Sequence, residues 1–370
     1  MKKIIESIAN GVKEINRYQA GKSIEEVREE YGLEKIVKLA SNENPLGPAI
    51  QVIDTIQSEA KNISLYPDSD SRELKSALAE KYQLDQEKIF LGNGSDEILD
   101  LLMTLILKSG DEVIQGDPSF IKYELSIKSR GGNNIKVPLD ENYRHDLKAM
   151  ESKITDQTKA ILICNPNNPT GTMLEKEEIE SFLERISDEI LVIVDQAYHE
   201  YITAEDHFDG VELLDKHSNL MLMRTFSKVY GLAGMRIGYA LADSELIDYL
   251  NRIRGPFNVN RLAQKAAVTA LKSESHLEIC QNLNEKEKNF LYQKFEELGL
   301  DYIKTEANFV MVNTEMPAEE VFEKLQQEGV IIRAGKQFGM DTWIRVTIGT
   351  RADNEYFIRK LKALLLEGTE

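Results

Sequence analysis

From residue 43 to residue 256, short apolar runs alternate with amphipathic stretches. That alternation predicts helices covering a mainly parallel sheet. The predicted strands are residues 89–91, 112–115, 160–164, 191–194, 220–223 and 238–241. Between them, Ile98, Leu101, Leu102, Leu105 and Ile106 fall on one face of a predicted helix over 95–108, and a second helix is expected over 175–187. Beyond Pro256 the texture changes. Long charged helical stretches over 264–298 precede strand candidates at 309–313 and 344–348, and a last helix over 354–365 closes an α+β pattern. The segment before Asn42 is charged and helical enough to pack on this second lobe. The expected organisation is therefore an N-terminal segment (1–42), a large α/β domain (43–258) and a smaller α+β domain (259–370). The chain's 370 residues suit two lobes, since single cores usually stop growing near ~250–300 residues.

Charge narrows the partners. A net charge of −18 argues against nucleic acid, which is bound through clustered Lys and Arg, so any cations that hold a phosphate must be local. Cys164 and Cys280 form no spaced pair and are read as core residues of a protein in a reducing compartment. The start, Met1-Lys2-Lys3, leads into no apolar signal region, and no run approaches the ~18 apolar residues of a membrane span. A cytoplasmic protein with no membrane association is expected. The five histidines (145, 199, 207, 217 and 276) show no metal-site spacing, and His199 is read as structural, so no metal is expected.

In an open parallel sheet, ligands gather beyond the carboxyl ends of the strands. Gly92-Asn93-Gly94-Ser95-Asp96 leads into a helix, and such a start favours an anion, although Ser95 or Asp96 as an ordinary helix cap reads the same residues. Glu97 stands where a dinucleotide fingerprint needs a third glycine, which disfavours a nicotinamide dehydrogenase. Asp195 ends the run Ile-Leu-Val-Ile-Val, where an unpaired carboxylate is costly. A protonated pyridine nitrogen is one cation that suits it, and Tyr198 could reach the adjacent phenolic oxygen of the same ring; a helix-capping aspartate is the alternative. Thr225, Ser227, Lys228 and Arg236 place two hydroxyls and two cations in a short turn, which suits a phosphate. A lysine beside other cations and partly desolvated loses basicity, as an imine-forming amine must. A solvated surface lysine is the commoner case, so position and neighbours carry the reading.

Asn165-Pro166-Asn167-Asn168-Pro169-Thr170-Gly171, Asp195-Gln196-Ala197-Tyr198 and Ser227-Lys228 with Gly234-Met235-Arg236 resemble the motif series of fold-type-I aminotransferases. Ser41-Asn42-Glu43-Asn44-Pro45-Leu46-Gly47-Pro48, Leu65-Tyr66-Pro67-Asp68 and Arg345-Val346-Thr347-Ile348-Gly349-Thr350 resemble, more narrowly, histidinol-phosphate aminotransferases. The resemblance spans nearly the whole chain in the family's order. It implies a fold-type-I α/β large domain with a mainly parallel seven-stranded-type sheet, and pyridoxal 5'-phosphate as cofactor. By the same resemblance Lys228 carries the cofactor as a Schiff base and shuttles the proton, Asp195 stabilises the pyridinium, and Asn168 and Tyr198 hold the phenolic oxygen. The cofactor's phosphate takes the Ser95 and Asp96 amides, the Thr225–Ser227 hydroxyl turn and Arg236, with Tyr66 from the neighbouring subunit of a homodimer. Arg333, Arg345 and Tyr18 grip the substrate's phosphate, with Asn44 also at the substrate. The implied reaction is histidinol phosphate plus 2-oxoglutarate to imidazole acetol phosphate plus glutamate.

Two departures stand out. Phe120 occupies the place of a ring-stacking phenol, so stacking is expected without a hydroxyl contact, and Gln196 replaces the more usual acidic residue after Asp195. Threonine-phosphate decarboxylation, which shares the lysine, the aspartate and the phosphate-gripping arginines, and aromatic amino-acid transamination are rival activities on the same scaffold, and a non-catalytic binding protein is the reading from another class.

Overall fold

The computed structural model describes residues 2–6, 8, 10–15 and 21–367, so Tyr18 lies outside the described residues. A short strand, β1 (Val37–Lys38), precedes seven strands that build one sheet: β2 (Ile89–Gly92), β3 (Glu112–Asp117), β4 (Asn133–Pro138), β5 (Thr158–Cys164), β6 (Leu191–Asp195), β7 (Leu220–Thr225) and β8 (Gly238–Ala242). Their order is β2-β8-β7-β6-β5-β3-β4. Only β8 runs against its neighbours; the pairs β3–β4, β3–β5, β5–β6 and β6–β7 are parallel.

The period of two along each central strand feeds two separate cores. On β5, Ile161 and Ile163 enter one core while Ala160, Leu162 and Cys164 enter the other, and on β7 Leu220 and Leu222 oppose Met221 and Met223. Both faces are covered by helices, so these strands read as unbroken apolar runs. Truncating Ile163 to Ala is expected to cost about 2–5 kcal/mol by loss of transfer energy plus a cavity.

The smaller sheet contains β9 (Tyr302–Ile303), β10 (Phe309–Asn313), β12 (Arg333–Ala334) and β13 (Trp343–Thr347) in the order β12-β13-β10-β9, all antiparallel. Strand β11 (Val330–Ile331) pairs instead with β1, which ties the N-terminal segment to this lobe. Helix Ile24–Tyr31 completes the tie. It starts on a Ser23–Glu26 capping box, and its Val27 packs with Ala40 and Ile331.

The helical stretches over 264–298 are, as expected, helices, Arg261–Leu271 and Glu274–Leu298, with the Ser273 hydroxyl donating back to the Thr269 carbonyl at the break. Several other expectations need correcting. By packing, the changeover between lobes falls inside the second of these helices rather than at 258. Val259, Ala263, Ala266, Ala267, Val268, Ala270 and Cys280 join the large lobe's core, and only from Leu291 and Phe295 onward does the chain enter the small lobe's core. The N-terminal segment is not wholly on the small lobe either, for helix Asn10–Lys13 lies against helix Lys122–Ser129 of the large one. Strand β4 has no counterpart among the predicted strands. It is an edge strand with Val137 as its one fully buried residue, so it carries no apolar run.

Candidate active site

A cavity of about 370 Å³ opens where the large sheet's carboxyl edge meets the small lobe. Its wall collects Ser95 and Asp96 after β2, Phe120 after β3, Cys164 and Asn168 at the end of β5, Asp195, Ala197 and Tyr198 at the end of β6, and Thr225, Ser227 and Lys228 at the end of β7. Because β8 is antiparallel, its amino end lies at this same edge, and Arg236, just before it, reaches the cavity too. From the small lobe and the N-terminal segment come Arg333, Arg345, Lys38 and Asn42.

One end of the cavity is built for an anion. Helix Ser95–Ile106 begins here at Gly94, φ 78°, with no side-chain cap on its first amides. A Cβ on Gly94 would lie 2.7 Å from Arg236 Nη2, and one on Gly238 would lie 2.7 Å from the Ser95 amide nitrogen, so two glycines permit the close approach of strand, helix start and guanidinium. Arg236, itself held at φ 54°, donates from Nη2 to Asp96 Oδ2 at 3.1 Å, and its Nη1 is 3.5 Å from Ser227 Oγ. The Ser227 amide donates to Thr225 Oγ1 at 3.0 Å, which folds the turn so that both hydroxyl residues face the cavity.

The floor is built for a cation. Asp195 is 3% exposed; its Oδ1 accepts the Ala197 amide at 3.1 Å and its Oδ2 accepts the Tyr123 hydroxyl at 2.7 Å. Burial pushes its carboxyl up to about 6, against the pull of those two donors. Beside it, Tyr198 accepts amide hydrogens from Asn42 at 3.0 Å and Asn168 at 3.2 Å, which leaves its own O–H to donate. Asn42 is held at φ 55° by bonds to Thr347 and Asn308, a left-handed conformation that asparagine tolerates better than most side-chain-bearing residues.

Lys228 stands between these two ends. Its ammonium donates to the Ser41 carbonyl at 3.2 Å and lies 5.6 Å from the centre of the Tyr198 ring. Burial, then the nearby Arg345 and Arg236, bring its pKa down to about 8, so the neutral, nucleophilic amine is a larger minority near neutral pH than for an ordinary lysine. On the facing wall Arg345 is 7% exposed and donates to Asn168 Oδ1 and the Ala40 carbonyl. Arg333 is its direct partner across β12 and β13.

One expectation, Asn44 at the substrate, comes out differently, and Cys164 and Tyr66 have places of their own. Asn44 is not in the cavity. Its amide donates to the Val229 carbonyl at 2.7 Å and approaches Cys280 Sγ, so it braces the loop after Lys228, and Asn42, two residues earlier in the same motif, takes the place at the site. Cys164 is buried as expected of a core residue, yet it also forms part of the cavity floor. Tyr66 is 77% exposed and stacks on Phe257, 4.6 Å between ring centres, in a separate groove. Sequence reasoning missed Tyr123, whose only signal is its position one helical turn after Phe120. Lys38 was also missed; it lines the cavity and pairs with Glu43 at 2.9 Å. His199, read as structural, sits outside the cavity beside Asp209 and His207.

Known proteins bear on this geometry. Residues 34–361 match the family described as aminotransferase class I and II. The chain is 48% identical over 352 residues to a histidinol-phosphate aminotransferase of Moorella thermoacetica, covering 95% of this chain and 91% of that protein. It is also 48% identical to one of Caldicellulosiruptor saccharolyticus, covering 96% and 99%. Among solved structures, the histidinol-phosphate aminotransferase of Clostridium acetobutylicum superposes with a TM-score of 0.83 at 27% identity, covering 90% of this chain and all of that one. The Sinorhizobium meliloti protein of that name, solved with pyridoxal-5'-phosphate, shares the fold with a TM-score of 0.89 at 24% identity over 98% of both chains. With a family match over most of its length and relatives this similar, the chain belongs to the class I and II aminotransferases.

Proposed function

We propose that this chain is a pyridoxal-phosphate-dependent histidinol-phosphate aminotransferase, moving the amino group of histidinol phosphate to 2-oxoglutarate. The observation that carries the reading is that one cavity joins a lysine amine of lowered pKa to a buried aspartate on one side and to two guanidiniums of the other lobe on the other. The names of relatives at 48% identity point the same way.

The residues present fit the cofactor. The uncapped start of helix Ser95–Ile106, with Ser227, Thr225 and Arg236, would hold its phosphate; Asp195 would meet its ring nitrogen, Asn168 and Tyr198 its phenolic oxygen, and Phe120 would cover a face of the ring. Bound there, pyridoxal phosphate supplies an electron sink for charge developing at the substrate's α-carbon. The protein does the rest. Lys228 would hold the cofactor at rest and, once the donor's amine has displaced it, its freed amine would take the proton from the donor's α-carbon; Asp195 would keep the ring nitrogen protonated, and the buried floor would exclude water from both. Arg333 and Arg345, with Tyr18, take the donor's phosphate and later a carboxylate of the acceptor, since a guanidinium fork suits either anion.

Tyr66 completes the phosphate site of a second copy, which makes the enzyme a homodimer; exposed Ile63, Leu65 and Phe257 around it give the contact an apolar face. A fully active monomer in analytical ultracentrifugation would rule that out. The two free, buried cysteines suit a cytoplasmic location. The deciding assay compares amino donors. Histidinol phosphate should be used far better than free phenylalanine or tyrosine; preference for the free amino acids, or release of carbon dioxide from threonine phosphate, would reject the substrate.

A further inference from the structure

We propose that Tyr123 is a positioning residue for the reaction: through one hydrogen bond it holds Asp195 in place and keeps it ionised toward the cofactor's ring nitrogen. The inference rests on the function proposed above and adds a residue to its machinery.

Tyr123 sits on helix Lys122–Ser129, fully buried among Val113, Ile127, Leu162 and Ile193. A phenylalanine would fill that core equally well by volume. The hydroxyl instead donates to Asp195 Oδ2 at 2.7 Å, with the Cys164 thiol also within hydrogen-bonding contact. The carboxylate's other oxygen is taken by the Ala197 amide, so the two donors fix its plane from opposite sides. Each oxygen can accept a further bond, which leaves room for a ring N–H. Tyr123 also meets the edge of Phe120, with ring centres 5.5 Å apart and planes at 89°. The same side chain therefore supports both the cavity's aromatic wall and its anionic floor.

Burial holds the Tyr123 phenol well above its usual pKa, so it donates at every working pH and stabilises the ionised form of Asp195 more than the protonated one. The groups facing Asp195 are few. Cys164 on β5 has its thiol pushed up by burial and stays neutral; Asp96, on the cavity helix, favours the protonated carboxyl; Lys228, after β7, opposes it. Without the Tyr123 hydroxyl, burial and Asp96 face only Lys228 and one backbone amide. Asp195 then holds its proton to higher pH, and one of its oxygens loses its anchor.

The test is a double-mutant cycle on Tyr123→Phe and Asp195→Asn, read by equilibrium dialysis of pyridoxal phosphate against stripped protein from pH 5 to 8, by kcat and KM, and by thermal midpoint. Tyr123→Phe should bind the cofactor roughly ten- to a hundredfold more weakly near neutral pH, the loss expected for one hydrogen bond to a charged group. Its affinity should rise with pH at a higher value than in wild type, and kcat should fall with KM for the donor little changed. In the Asp195→Asn background the same substitution should change cofactor affinity very little. Equal effects in both backgrounds, or none in either, would make Tyr123 a packing residue and overturn the inference while leaving the proposed function intact. A wild-type protein that binds no pyridoxal phosphate would overturn both.

Discussion

Arg333 and Arg345 are direct cross-strand partners: Arg333 on β12 stands opposite Arg345 on β13, and both face the cavity. Like charges placed opposite one another in a sheet repel. A phosphate or carboxylate in the cavity would be attracted by both guanidiniums. Arg345 also donates to Asn168, which in turn donates to Tyr198, so the residues proposed for the substrate and for the cofactor's phenolic oxygen share one chain of hydrogen bonds.

Arg333→Ala should therefore raise KM for histidinol phosphate by about tenfold or more, the scale of a lost charge-assisted bond, and raise it less for phenylalanine. Inorganic phosphate should compete with the donor in wild type. Steady-state kinetics with both donors measures this. An equal effect on the two would remove Arg333 from phosphate recognition.

Lys228→Ala should still bind pyridoxal phosphate weakly, because the anion site is intact, but show no turnover and no borohydride-fixed adduct. In wild type the rate of cofactor attachment to stripped protein should climb as pH rises through about 8, where the amine loses its proton. The sign follows from the neutral amine being the nucleophile. Replacing Arg345, which helps lower that pKa, should move the rise to higher pH. Stopped-flow absorbance across pH 6–10 gives both curves.

Asp195 makes the cofactor-free protein sensitive to pH. Its folded pKa of about 6 lies above the ordinary carboxylate value, so the folded state binds the extra proton, and this group's contribution falls as pH rises from about 4 through 6. A shift of about two units corresponds to roughly 3 kcal/mol lost by neutral pH. A cationic ring nitrogen offsets that loss. Pyridoxal phosphate should thus raise the thermal midpoint more at pH 7.5 than at pH 5, and Asp195→Asn should flatten the difference. Activity in that variant should drop by orders of magnitude; a wild-type rate would make Asp195 structural.

Gln196 has a consequence one layer below the site. Arg224 is buried at 1% exposure, donates from Nε to Gln196 Oε1 at 2.9 Å, and finds its countercharge in Asp209. Removing one partner of a buried ion pair costs about 3–5 kcal/mol. Asp209 keeps 48% of its side chain exposed, so Asp209→Asn should be destabilising by less than that in chemical denaturation. Gln196→Glu should not recover the loss, because it removes the Nε2 donors to the Phe208 and Asp209 carbonyls; an unchanged denaturation midpoint in Asp209→Asn would show that its charge does not matter to Arg224.

The apolar runs that predict β5, β6 and β7 are legible because both faces of those strands are buried, and every such run ends on a residue of the cavity: Cys164, Asp195, Thr225. Local chemistry is legible for a similar reason. A glycine-led helix start, a strand-end aspartate and a lysine in a hydroxyl-rich turn each carry their meaning within a few residues. The edge strand β4 escapes because solvent covers much of it, and no period of two forms without a buried face.

What the sequence alone determined, then, is the α/β order of the large lobe, the strand ends that bear chemistry, and the identity of Lys228, Asp195 and Arg236 as candidates. Tertiary structure decided which asparagine of Ser41-Asn42-Glu43-Asn44 meets Tyr198, that the two arginines of the small lobe share a register, and that the hydroxyl of Tyr123 is directed at Asp195. These relationships join residues far apart in the chain, by as much as the separation of Asn42 from Tyr198. Local pattern reports which face of its own element a side chain occupies; which distant group it meets there is set by how the two lobes close on each other.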